Sequence, residues 1–192
     1  MWYNSFMKIV LASASPRRKA IFENFGYNVI VIPSNFDEKI NGLTYSDYIV
    51  ENCAFQKAFD VKKQIGDSQI IIAADTVVVN NGIILGKPKD KNDAINMLES
   101  LSNKTHFVAS AICILHKGQI IKAIEKTFVT FKKLSSKDII DYIENKKPFD
   151  KAGAYGIQDE GFNFVVKLNG ELDNVIGFPM KLFKKELAKL KL

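Results

Sequence analysis

The sequence predicts an α/β fold with a mixed β-sheet, and three observations carry the prediction. Short apolar runs alternate with segments of helical periodicity. Two turn signals, Asn80-Asn81-Gly82 and Lys117-Gly118, each join neighbouring apolar runs as hairpins. The run "IIIAADTVVV" is rich in β-branched residues and strongly β.

In order, Lys8 to Ala12 reads as a buried strand. Ser15 is placed as an N-cap, with Pro16 at the first helical position, Lys19 to Phe25 continuing the helix and Gly26 ending it. Val29 to Ile32 is the next strand, closed by Pro33. Thr44 is expected to cap a longer helix, with Asp47 in its first turn and Gly66 at its end. Gln69 to Ala74 and Thr76 to Val79 are β, returning through Ile83 to Leu85. Asp90 to Leu101 is helical. His106 to Leu115 and Gln119 to Phe131 form the second hairpin. Ser135 or Ser136 caps a helix through Ile143, with Pro148 after its end, and Phe162 to Lys167 is a late strand. Phe183, Leu187 and Leu190 fall on one helical face. No repeat, low-complexity tract or linker interrupts the chain, so residues 1–192 are expected to form one domain, with two lobes sharing a sheet as the variant of that.

A chain of 192 residues, 47% hydrophobic with 14 Phe, is long enough to bury a sizeable core. No apolar run approaches the ~20 residues of a membrane span. Met1 to Phe6 lacks the basic start and long apolar stretch of a signal peptide. Cys53 and Cys113 form no CxxC, which fits a reduced, cytoplasmic protein with both thiols buried. The net charge is +6, but Phe178 to Leu192 alone carries +4 of it. That concentration favours a docked terminal helix with a solvated lysine face over nucleic-acid or membrane binding. The rest of the chain shows no basic stripe with interleaved aromatics.

Charged and glycine residues break the scaffold in four places. At the first strand-to-helix junction stands "SASPRR". A helix N-terminus attracts anions, and arginine forks suit phosphate oxygens. Arginines in a first turn oppose the helix dipole unless an anion compensates, which tilts Arg17 and Arg18 toward a ligand rather than a solvated surface. After the second strand stands Asn35-Phe36-Asp37-Glu38, either a solvated turn or a site for a cation or base. Asp75 interrupts the longest apolar run, where a carboxylate must meet a cation, hydrogen bonds or solvent in a cleft. In Leu85-Gly86-Lys87-Pro88, Lys87 could neutralise phosphate, or the segment is a plain turn.

Five stretches in order carry a resemblance: "LASASPRRKAIFENFGYNVIVIPSNFDE", "IIAADTVVVNNGIILGKPKD", "NMLESLSNKTH", "DKAGAYGIQ" and Asn174 to Pro179. Together they resemble the Maf family of nucleoside triphosphate pyrophosphatases over nearly the whole chain. The resemblance implies an elongated mixed sheet flanked by helices, with two lobes around a cleft, similar to the inosine triphosphate pyrophosphatases. It implies hydrolysis of a nucleoside triphosphate to the monophosphate and pyrophosphate with Mg²⁺ or Mn²⁺. It also implies dimerisation, which is common in the family. Ser13, Arg17 and Arg18 match the family's phosphate-binding pattern. Glu38 matches the acid ending the family's second-strand motif, Lys57 a lysine on its long helix, Asp75 the residue regarded as the proton acceptor and Lys87 the lysine of GKP. The chemistry makes these four the expected catalytic set, with Glu38 as metal ligand and Asp75 as base, metal ligand or both. Arg17, Thr76 and Gln158 match positions linked to base choice. "YGIQ" is similar to the branch that prefers dTTP and UTP, and a glutamine amide can donate to and accept from a thymine or uracil edge.

Two positions depart from the family pattern. Asp159-Glu160 precedes Gly161 where a glycine usually follows the glutamine, and aspartate tolerates a left-handed backbone better than most residues. Ser110-Ala111 replaces the common Thr-Gly. Two other classes are weighed. A non-catalytic nucleotide-binding regulator of cell division would not need a water-activating acid. A nucleic-acid binder would rest on the basic C-terminal helix alone.

Overall fold

The computed structural model describes residues 8–191. Met1 to Phe6, to which the sequence assigned no role, lie outside the described residues. The elements run β1 (Ile9–Leu11), α1 (Pro16–Asn24), β2 (Val29–Val31), α2 (Asp47–Ile65), β3 (Ile70–Asn80), β4 (Ile83–Leu85) and α3 (Lys91–Leu101). They continue with β5 (Thr105–His116), β6 (Gln119–Phe131), α4 (Ser136–Lys146), a 3₁₀ turn at Ala152–Ala154, β7 (Val165–Asn169), α5 (Leu172–Ile176) and α6 (Met180–Leu187).

The strands form one mixed sheet in the order β2-β1-β3-β5-β6-β7. β1 runs parallel to β2 and β3, and the remaining pairs are antiparallel. Along one edge β3 pairs with β5 from Ile71 to Val79. Along the other it pairs with β1 at Ile70 to Ile72 and with β4 at Val78 to Asn80. Between those two, from Ala73 to Val77, no strand among the described residues covers that edge. The gap lies in the middle of the longest apolar run.

The strand period of two sorts the residues of β3 onto two faces. On one face Ile71, Ala73, Val77 and Val79 pack with Val50, Ala54, Ala58 and Val61 of α2. The other face carries two separate cores. Ile70, Ile72 and Ala74 pack with Phe22 of α1 and with Phe183 and Leu187 of α6. Val78 packs with α3, α4, Tyr155 and Phe164. Between these cores the apolar stripe is broken by Thr76 on β3 and its partner Ser110 on β5. These cores are the two lobes, joined by the shared sheet.

Several expected boundaries move for identifiable reasons. Thr44 does not cap α2, because it bridges Ile83 and Tyr45 N–H donates to Gly82 O, so the chain stays extended until Ser46 becomes the N-cap. Ser135, not Ser136, caps α4 through a capping box with Asp138. The late strand starts at Val165, because Phe162 and Phe164 turn their rings onto Tyr142. Both hairpins use left-handed pairs, Asn81-Gly82 and Lys117-Gly118, as type I′ turns demand. The short α5 was not foreseen. The terminal helix docks as expected, burying Phe183 and Leu187. No helix among the described residues is long and apolar enough to cross a membrane. Cys53 and Cys113 are buried and unpaired.

Phe22 anchors α1 to α6, with ring centroids 4.6 Å from Phe178 and 5.3 Å from Phe183. Phe22→Ala is expected to destabilise the protein by about 3–5 kcal/mol, measured by urea unfolding. A loss below about 1 kcal/mol would show that α1 is not held by this contact.

Candidate active site

The loop from β1 into α1 supplies the first wall of the cleft. Ser15 holds the N-cap position of α1, yet its side chain makes no capping bond. The hydroxyl of Ser13 is buried and accepts instead from Ser15 N–H at 3.2 Å and Arg18 Nη1 at 3.2 Å. The positive end of α1 therefore faces the cleft without a side-chain cap.

The two adjacent arginines have separate environments. Arg18 points inward and donates Nε to Gly177 O at 2.9 Å and Nη2 to Thr76 Oγ1 at 3.1 Å. Burial opposes its charge and lowers its pKa, with Asp75 and Glu38 pulling the other way, but a guanidinium stays protonated in a protein. Its hydrogen-bond partners here are all neutral oxygens. Thr76 Oγ1 also lies 2.9 Å from Ser110 Oγ, which donates to Asn174 O. Arg17 reaches across the cleft mouth, donating Nη1 to Asp150 Oδ2 at 2.5 Å and Nη2 to Asp150 O at 3.2 Å.

Asp75 projects from the uncovered edge of β3 onto the α2 face and is 1% exposed. Lys57 of α2 reaches it, with Nζ 2.6 Å from Asp75 Oδ1 and 2.5 Å from Glu38 Oε1. Glu38 is brought in by the loop after β2, which Asp60 of α2 fastens. Asp60 Oδ2 accepts from Asn35 N–H at 2.8 Å and from Ser34 Oγ at 3.0 Å. Burial pushes the Asp75 carboxyl above its ordinary range, and the ammonium of Lys57 only partly offsets this. Burial also opposes the charge of Glu38, but the ammonium of Lys57 and the field of Lys87 hold it below the usual value. The neighbouring acids are thus driven apart, one toward the acid form and one toward the carboxylate. Asp75 Oδ2 is buried with no hydrogen-bond partner.

Lys87 follows β4, where Gly86 N–H donates to Asn41 Oδ1 and Gly86 O accepts from Gly153 N–H. A Cβ at Gly86 would lie 3.1 Å from the Asn41 side chain. Gln158 sits on the opposite wall, beyond the 3₁₀ turn. The cleft between these walls has a volume of about 720 Å³, and all nine residues singled out from the sequence line it. That size suits a drug-sized or nucleotide-sized molecule. Sequence reasoning missed Asp150 and Lys151, although both stand in "DKAGAYGIQ". It also missed Gly177, whose carbonyl carries no sequence signal. In the loop after Gln158 it is Gly161, not Asp159, that takes a positive φ, of +84°.

Among the described residues, no cluster of three or more His, Cys, Asp or Glu is arranged to hold a metal. Glu38 and Asp75 converge on Lys57, and Asp75 Oδ2 has no hydrogen-bond partner. Two carboxylates fit a hard divalent cation that takes its other ligands from phosphate oxygens and water.

A mixed sheet with its cleft over an uncovered strand edge, cationic walls and a lysine-bridged acid pair define a protein built to handle a phosphorylated ligand. The chain belongs to the Maf-like protein family, whose model matches residues 8–190. A relative from Clostridium botulinum named dTTP/UTP pyrophosphatase is 43% identical, covering 95% of this chain and 99% of its own. One of the same name from Thermosipho africanus is 44% identical, covering 91% and 88%. The Staphylococcus aureus Ham1 protein shares the fold, with a TM-score of 0.51 at 16% identity over 96% of this chain and 91% of that one.

The raised Asp75 pKa has a consequence for stability. A carboxyl whose folded pKa lies above its unfolded value stabilises below the unfolded pKa, and that contribution is lost as pH rises through the folded one. Asp75→Asn removes the penalty. Its melting temperature in metal-free buffer should exceed the parent's by a few degrees at pH 8, and by less at pH 5. A variant that melts well below the parent at pH 8 would show that ionised Asp75 is a net stabiliser.

Proposed function

We propose that this protein hydrolyses nucleoside triphosphates to the monophosphate and pyrophosphate, with dTTP and UTP as substrates. One observation carries the reading: a buried carboxylate with one oxygen on Lys57 and the other unpartnered, in a cleft walled by cations. A pure binding module has no use for such a group, because burying a carboxylate opposes stability.

In this mechanism the triphosphate lies along the uncapped end of α1. Arg17 exchanges Asp150 for a phosphate oxygen, and Lys87 neutralises another. Arg18 stays bonded to Ser13, Thr76 and Gly177 and acts through its field. Water attacks the α-phosphorus, its proton passes to Asp75 Oδ2, and the bond from the α-phosphorus to the bridging oxygen breaks to release pyrophosphate. Lys57 holds Asp75 Oδ1 and fixes the direction of the free oxygen. Glu38 and Asp75 would hold Mg²⁺ or Mn²⁺, which supplies charge neutralisation at the phosphates and a more acidic water. Gln158, with Arg17 and Thr76, meets the base or its sugar side. One Maf-like unit spanning the chain performs these steps. The two buried cysteines, unpaired in this structure, support a cytoplasmic location.

A panel of canonical and modified triphosphates, assayed for pyrophosphate with and without chelator, tests the reading. Metal-dependent release from dTTP and UTP is expected. Asp75→Asn should lower kcat by about a thousandfold while the fold persists. An unchanged kcat would remove Asp75 from the chemistry, and turnover of GTP derivatives without dTTP or UTP would overturn the base assignment.

A further inference from the structure

The wall that carries Gln158 is a single β-turn. Asp159 N–H donates to Gly156 O at 3.1 Å, leaving Ile157 and Gln158 at the two central positions. Ile157 packs into the core between α3 and α4, whereas Gln158 is exposed and lines the cleft. Both ends of this turn meet one hydroxyl. Gly156 N–H donates to Tyr142 Oη at 2.9 Å, and Tyr142 Oη donates to Asp159 Oδ2 at 2.6 Å. Tyr142 is 1% exposed, on α4.

The directions of these bonds are fixed by chemistry. A carboxylate only accepts, so the hydroxyl must donate to it and accept from the amide. Burial, and then the bond to Asp159, push the Tyr142 hydroxyl further from ionisation. Lys151 Nζ stands 3.6 Å from Asp159 Oδ2 and 3.3 Å from Asp150 Oδ1, which puts the charge of Asp159 in a cationic setting and links it to the partner of Arg17. Gly156 leaves room for this carboxylate: a Cβ there would lie 2.8 Å from Asp159 Oδ2. Neither Tyr142 nor Asp159 lines the cleft, and neither takes part in the proposed phosphate chemistry.

We propose that Tyr142 and Asp159 form a clasp that fixes the Ile157-Gln158 turn, making both positioning residues for recognition of the pyrimidine base. The inference rests on the pyrophosphatase reading, with Gln158 as the residue that meets the base. A glutamine amide presents a donor or an acceptor by rotation, so a mobile glutamine serves uracil and cytosine alike. Thymine and uracil present an N3 donor and a C4 carbonyl, whereas cytosine presents an N3 acceptor and an amino group. Discrimination therefore needs a backbone that holds the amide at one reach and one angle. The aspartate that departs from the family's glycine supplies that hold here.

The test compares kcat/KM for dTTP and dCTP in Tyr142→Phe, Asp159→Gly and Asp159→Asn. The first two are expected to lose about tenfold of the dTTP-over-dCTP discrimination, the worth of one well-placed hydrogen bond. Asp159→Asn keeps an acceptor for the tyrosine and should stay within about twofold of the parent. Amide hydrogen exchange at Gly156 and Asp159 should accelerate in Tyr142→Phe. A discrimination ratio unmoved in both disrupting variants, or dTTP and dCTP turnover falling in parallel, would overturn the proposal. If the parent releases no pyrophosphate from any triphosphate, the functional reading falls instead, and the exchange of the two amides alone decides whether the clasp holds the turn.

Discussion

The ammonium of Lys57 holds the site together. β3 must carry a carboxylate through the interior of a sheet, where an uncompensated charge is strongly destabilising. Lys57 meets Asp75 at 2.6 Å and Glu38 at 2.5 Å, so one cation joins α2, β3 and the loop after β2. The rest of the local architecture serves this junction. α2 is packed on that face by Val50, Ala54, Ala58 and Val61, which lets Lys57 point at the uncovered edge. Asp60, one turn further along α2, ties down Ser34 and Asn35 so that Glu38 arrives at the same ammonium. β1 and β4 pair with the two ends of β3 and leave the middle open.

The opposite face obeys a complementary rule. Because side chains alternate, Asp75 and Thr76 cannot share a face. Thr76 instead interrupts the apolar stripe and separates the two cores on its side. Its polarity is satisfied by Arg18, Gly177 and Ser110, and that network continues through Ser110 to Asn174, which donates to Val108 O and Thr127 Oγ1. One edge of one strand thus separates a lysine-bridged acid pair from a buried arginine. A phosphorylated ligand at that edge would meet both.

How much of this was legible in the sequence depended on the range of the interaction. Local signals worked: Pro16 and Gly26 bounded α1, and Asn81-Gly82 made a tight turn. The interrupted run around Asp75 announced a buried charge, whose partner, Lys57, lies on a different element. Long-range choices were not readable. Thr44 and Ser46 are both good caps, and only the bridge to Ile83 decides between them. Arg17 and Arg18 are adjacent and chemically identical, yet one meets Asp150 and the other a carbonyl 159 positions away. Tyr142 carries no local signal that sets it apart from a core aromatic on a helix. Its hydroxyl matters because of a turn that the chain forms later.

The two walls of the cleft are built by different means, and this bears on how such a site can diverge. The wall carrying Asp75, Lys57 and Ser13 is fixed by sheet register and by helices packed on it. A change there disturbs the core. The wall carrying Gln158 is a four-residue turn held by one hydroxyl, one carboxylate and the packing of Ile157. It can be rebuilt by exchanging a residue or two without moving a strand. Chemistry that must stay constant is therefore placed where many contacts determine it. Base recognition, as proposed for Gln158, is placed where few do.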